Sequence, residues 1–104
     1  MGNNKEVSVI WGINEFAKVL YESNKNIINF ACFLDSRPTL LEFCGKPIYR
    51  FEDFISRQTS FSKIFMTLHM YNPEVHAILT QLRNYGLRIG KDVIFAQFML
   101  VPTL

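Results

Sequence analysis

The sequence predicts a three-layer α/β domain built on a five-stranded parallel sheet. Three observations carry that prediction. Residues 7–11 form a short, nearly unbroken apolar run that stops at Gly12, the pattern of a strand buried on both faces. The residues after Gly12 change to helical spacing. A second apolar run, F-A-C-F-L, then ends in Asp35, 23 residues beyond Gly12. A strand, a glycine turn, a helix and a second strand closed by an acid make up the opening unit of nucleotide-binding α/β domains. That unit says where a ligand would sit and leaves the chemistry open.

The elements follow in order. After the first strand, Phe16, Val19 and Leu20 fall at i, i+3 and i+4, with Lys18 and Glu22 opposite, which predicts an amphipathic helix from Asn14. The polar run S-N-K-N at 23–26 stops it. Residues 27–34 read as the second strand and D-S-R-P as a turn. Residues 39–46 read as a loop or short hairpin leading into a short third strand at 48–49. A brief helix follows at 51–56, with Phe51, Phe54 and Ile55 on one face. Residues 62–68 give a fourth strand. The clearest helix covers 74–85. Asn72 is its N-cap, Pro73 its first residue, Glu74 suits the positive end, and Val75, Ile78, Leu79 and Leu82 make the apolar stripe up to Gly86. Residues 92–95 are the fifth strand. Right-handed crossovers with one reversal of winding give the strand order 3-2-1-4-5. The reversal opens a crevice lined by loops 12–16 and 67–72, with Asp35 beside them.

Composition narrows the function classes. The 104 residues suffice for one domain, 1–104, and 49% hydrophobic against 19% charged residues supports a core. Ten Phe, four Tyr and one Trp are a heavy aromatic load, part of which a partner could cover. A formal charge of +2 gives no case for nucleic acid as a partner. No run of 18 apolar residues exists to span a membrane, and M-G-N-N-K-E lacks a signal peptide's apolar stretch. Cys32 and Cys44 have no C-x-x-C spacing and read as free thiols of a reducing, cytoplasmic compartment.

Five residues are candidates for a site from the pattern alone: Gly12, Asn14, Asp35, Arg37 and His69. Gly12, Asn14 and Ala17 occupy the three positions of a G-x-G-x-x-G turn. Ala17 fits the close helix packing, while the Asn14 side chain crowds a pyrophosphate. Asp35 could accept ribose hydroxyls or a base N–H, or simply start a turn. Arg37 could meet a phosphate or stay solvated. His69, in the loop after the fourth strand, could carry a proton, but no Ser, Cys or carboxylate stands at a spacing that makes a triad or metal site with it or with His76. Tyr71 and Asn72 share that loop.

The segments V-I-W-G-I-N-E-F-A-K, F-A-C-F-L-D-S-R-P and F-C-G-K-P-I-Y-R-F-E-D-F resemble a bacterial Rossmann-like domain. That domain occurs at the N-terminus of sugar acyltransferases of the sialic-acid and bacillosamine type and attached to FkbM-type methyltransferases and glycosyltransferases. The resemblance rests on Gly12, Ala17, Lys18, Asp35, Pro38, Gly45, Pro47, Ile48, Glu52 and Asp53, and spans about residues 7–95. It implies that Gly12, Ile13 and Asn14 meet the phosphates of a nucleotide-sugar and that Asp35 meets its base or ribose. It also implies a role in surface polysaccharide or sugar biosynthesis. The chain departs from the pattern at Asn14, and the catalytic domain of such transferases is not in it. The expectation is a binding module, or a domain of a larger protein, rather than a complete enzyme.

A nucleotide-sugar is favoured over NAD, because 104 residues leave no substrate domain for an oxidoreductase. The alternative is a protein-interaction or assembly domain that keeps the shape without the ligand. The tail, residues 96–104, is apolar at Phe98, Met99, Leu100 and Val101. It suggests a homodimer or a contact with a fused domain, against the alternative of a self-covered sheet edge.

Overall fold

The computed structural model describes residues 6–57 and 60–98. Its elements are β1 (Ser8–Trp11), α1 (Glu15–Asn24), β2 (Phe30–Leu34), β3 (Glu42–Phe43), β4 (Lys46–Tyr49), α2 (Phe51–Arg57), β5 (Ile64–Met66), α3 (Pro73–Tyr85) and β6 (Val93–Phe95), then a single 3-10 turn at Ala96–Phe98. The chain is thus an α/β protein. Of the tail expected to form an interface, residues 99–104 lie outside the described residues, and so does that expectation.

The strands form one sheet in the order β3-β4-β2-β1-β5-β6. The expected five-stranded, all-parallel sheet is corrected here: among the described residues six strands are present, the sheet is mixed, and its order differs by an added edge. β1–β2, β1–β5, β2–β4 and β5–β6 are parallel, while β3–β4 is antiparallel. The cause is a two-residue turn. Cys44 and Gly45 both have positive φ, 54° and 78°, the conformation that folds two short strands into a tight hairpin. Glu42 then lies opposite Pro47 and Phe43 opposite Lys46. Pro47 is tolerated because β4 pairs with β2 only from Ile48 onward, so its missing N–H costs no bond there.

The sheet carries apolar layers on both faces. Val9, Trp11, Ile64, Met66 and Val93 pack with Phe51 and Phe54 of α2 and with Ile78 and Leu82 of α3. Ile10, Phe33, Ile48 and Phe65 point the other way and pack with Ala17 and Leu20 of α1. The period-2 alternation breaks once. Ser8 pairs with Phe30 but Val9 pairs with Cys32, so a register shift skips Ala31 and brings Phe30 to the same face as Phe33.

Two other expectations change. Val19 is 46% exposed, because the buried stripe of α1 is centred on Ala17 and Leu20. Ile27 and Ile28 do not begin a strand. Their amides donate to Asn24 O at 3.0 and 2.8 Å, closing the end of α1, and β2 starts only at Phe30. α3 forms over Pro73–Tyr85 with Asn72 Oδ1 accepting from Glu74 N–H and Gly86 in the left-handed region at its end.

Candidate functional site

The register of the sheet fixes one row of residues. Trp11 lies opposite both Leu34 and Met66, Leu34 opposite Tyr49, and Met66 opposite Phe95. The next residue on each strand therefore lines the carboxyl edge, in the order Arg50, Asp35, Gly12, Thr67, Ala96. Strands about 4.8 Å apart place Asp35 and Thr67 roughly 10 Å from each other, on either side of Gly12. The chain leaves β1 toward β2 and β4, then crosses to β5 and β6 on the other side. The winding thus reverses between β1 and β5, between the loops of Gly12 and Thr67.

Gly12 has φ +124°, and a Cβ on it would collide with Thr67 Oγ1. Its N–H donates to Leu34 O at 2.9 Å. Thr67 is buried; its hydroxyl donates to Trp11 O at 2.7 Å and accepts from Asn14 Nδ2 at 3.4 Å. Asn14 is the N-cap of α1, its Oδ1 accepting from Ala17 N–H at 2.7 Å. The residue standing in place of the second glycine thus binds a helix amide that a phosphate would otherwise use. Glu15 follows it in the first turn of α1. Ile13 is half-buried and packs with the cluster on the α1 face, so its side chain serves the core.

Asp35 is half-buried at the end of β2. Its N–H donates to Tyr49 O at 3.0 Å, and its Oδ1 accepts from Arg37 N–H at 3.3 Å. It is therefore a turn residue whose Oδ2 makes no hydrogen bond to the described residues. Arg37 is exposed, with Nη2 3.8 Å from Glu74 Oε2 at the start of α3. This pair is too solvated to contribute much stability, but it brings the loop after β2 to the loop before α3. His69 is exposed; its Nδ1 accepts from Tyr71 N–H at 3.2 Å, and its ring lies 5.2 Å from that of Tyr71.

Two residues of this region carry no local signal in the sequence. Thr67 is a polar residue at the end of an apolar strand, and only its contact with Gly12 reveals its part. Arg50 adjoins Asp35 in the row and holds Glu52 at 3.0 Å, while Gln81 Nε2 donates to the other Glu52 oxygen at 3.3 Å. The Glu52 carboxyl is held below its ordinary range by its own backbone amide and by Arg50; Glu52 in turn raises the Arg50 pKa. Tyr71, placed by the sequence in the same loop as His69, is 81% exposed.

No nucleophile, base and orienting acid converge on this row, and among the described residues no group of three His, Cys, Asp or Glu could hold a metal ion. Three cavities lie away from it. One of about 480 Å³ is bounded by Glu6 and residues 25–29. A neighbour of about 290 Å³ reaches Ser8, Lys63 and Phe65 at the amino ends of the strands. The third, about 300 Å³, lies between α2 and the β2–β4 pair and includes Cys32, Tyr49 and Arg57. Among the described residues no helix is long and apolar enough to cross a membrane. No family model, no characterised protein and no solved structure matches the chain.

Proposed function

We propose that this chain is a nucleotide- or nucleotide-sugar-binding module, without complete catalytic machinery of its own, and that its ligand lies across the carboxyl ends of β2, β1 and β5. The observation that carries the reading is the reversal of winding between β1 and β5, with Asp35 one strand away. Open α/β sheets bind ligands outside the carboxyl ends of their strands at such a reversal, where two loops diverge and leave a crevice. Asp35 supports it further, because one of its carboxylate oxygens is uncommitted to the described residues and suits a ribose hydroxyl or base N–H. The association with a Rossmann-like domain of sugar transferases, and with bacterial surface polysaccharide or sugar biosynthesis, rests on the sequence resemblance. Asn14 crowds the pyrophosphate of NAD and of a UDP-sugar alike, so the preference for a nucleotide-sugar rests on the sequence resemblance.

One observation favours a second reading, an assembly domain without a ligand. Asn14 caps α1 and Glu15 adds negative charge there, so the phosphate position is already satisfied from within the chain. Calorimetric titration and thermal shift with UDP-sugars, CDP-sugars, NAD and CoA separate the two. Binding of a nucleotide-sugar that Asp35→Ala weakens by about 1.5–3 kcal/mol is the expected result. Absence of binding to all four classes selects the assembly domain.

A further inference from the structure

Tyr71 leaves most of a large ring in water, 81% exposed. A single exposed aromatic is ordinary by itself. The loop that carries this one is not free to move away, however. Asn72 N–H donates to His69 O at 2.8 Å, closing a turn over residues 69–72. Tyr71 N–H donates to His69 Nδ1 at 3.2 Å, and the His69 ring lies against the tyrosine at 5.2 Å with 31° between planes. Met70 N–H donates to Gln97 Oε1 at 3.1 Å, tying the turn to the segment after β6. Asn72 then caps α3 through Glu74 N–H at 2.9 Å. The ring is thus presented by a backbone fixed on each side of it.

Its position matters equally. The turn follows β5, one of the two strands at the winding reversal. Arg37, two residues beyond Asp35, reaches Glu74, three residues beyond Tyr71, at 3.8 Å. The Asp35 turn therefore approaches the start of α3, which the aromatic turn leads into, at the carboxyl edge of the sheet.

We infer that Tyr71 is a stacking platform for the base of a nucleotide whose ribose meets Asp35, a step that rests on the nucleotide-binding reading above. An aromatic ring offers a flat π-face to any base, and a fixed loop spares the ordering cost that a mobile one would impose on binding. The stacking recognises a heterocycle rather than a particular base. The preference among nucleotides then falls to groups such as Asp35 that can read a base or ribose edge.

The test uses the full chain and three probes, UDP, ADP and UDP-N-acetylglucosamine, in calorimetric titrations of the wild type, Tyr71→Ala, Tyr71→Phe and Asp35→Ala. The Tyr71 side chain packs into neither face of the sheet, so its removal should leave the thermal midpoint unchanged. The expected result is that Tyr71→Ala weakens UDP and ADP alike by roughly 5- to 150-fold, whereas Tyr71→Phe, which keeps the ring, stays within about twofold of wild type. UDP binding that Asp35→Ala weakens and Tyr71→Ala leaves unchanged overturns the stacking role alone and leaves the nucleotide site standing. A Tyr71→Ala loss confined to UDP-N-acetylglucosamine overturns it too, because the ring would then meet the sugar. No binding of any probe to the wild type at millimolar concentration overturns both this inference and the reading beneath it.

Discussion

Gly12 owes its identity to a hydroxyl inside the protein. A Cβ at Gly45, Gly86 or Gly90 would meet nothing within 4 Å, whereas at Gly12 it would run into Thr67 Oγ1. The glycine that looked like a phosphate-binding feature is thus required for packing β1 against β5, whatever the ligand. Gly12→Ala should therefore cost about 2–4 kcal/mol, the sum of a strained φ and an overpacked contact, read as a lower urea midpoint. Thr67→Ala removes the colliding atom, so the double variant should be more stable than the sum of the single losses predicts, by more than 0.5 kcal/mol on the scale of contacting pairs; strict additivity would show that the contact is not the cause. Asn14 makes the complementary case. Its Oδ1 holds Ala17 N–H at 2.7 Å, so a phosphate bound at the start of α1 would compete with it. Asn14→Gly should lower stability by only a few tenths of a kcal/mol, since glycine is a tolerable cap, while tightening UDP binding measured by titration. Unchanged or weaker binding would place the phosphate away from α1.

At the scale of the element, local rules succeed where one sequence signal decides the structure. Asn72, Pro73 and Gly86 mark both ends of α3, and the stripe Val75, Ile78, Leu82 is buried as its spacing requires. The parallel strands were legible as apolar runs, though their ends were not: Ile27 is as apolar as any strand residue, yet its amide closes a helix. β3 was legible only as one of two options, a loop or a short hairpin over residues 39–46, because Glu42 and Phe43 carry no period and the turn that makes them a strand puts a cysteine at positive φ. At the site, Gly12, Asn14 and Asp35 were readable because a turn and a strand end are local features. Thr67 and Arg50 were not, since their place depends on which strands become neighbours. The Cys44–Gly45 turn gives its own prediction. Cysteine pays for left-handed backbone where asparagine pays less, so Cys44→Asn should raise stability by about 0.5–1 kcal/mol in chemical denaturation. A destabilised variant would mean that the partial packing of Cys44 against the α1-face cluster outweighs the turn.

For the whole molecule, the central strands hold a chemical reporter of folding. Cys32 lies on β2 at 1% exposure, among the residues that α2 and α3 cover. Burial pushes its thiol from an ordinary value near 9 up to about 12, because the thiolate would lose its hydration there. In the window between those values the unfolded chain has released the proton and the folded chain still holds it. The unfolded state then binds fewer protons, so stability falls as pH rises, by about 1.4 kcal/mol per pH unit from this one group. The contribution is complete below pH 9 and is lost as pH climbs toward 12. Lysines and tyrosines also titrate in this range, so the measurement is a comparison with Cys32→Ala. At pH 8 the wild type should be the more stable of the two, because the alanine leaves space in the core. Between about pH 9 and pH 11 that advantage should shrink at about the stated slope, since only the wild type carries the thiol. Parallel stability curves for the two proteins across that range would mean that water reaches Cys32 in the folded state. They would also mean that the layer of α2 and α3 over the sheet is looser than its packing indicates.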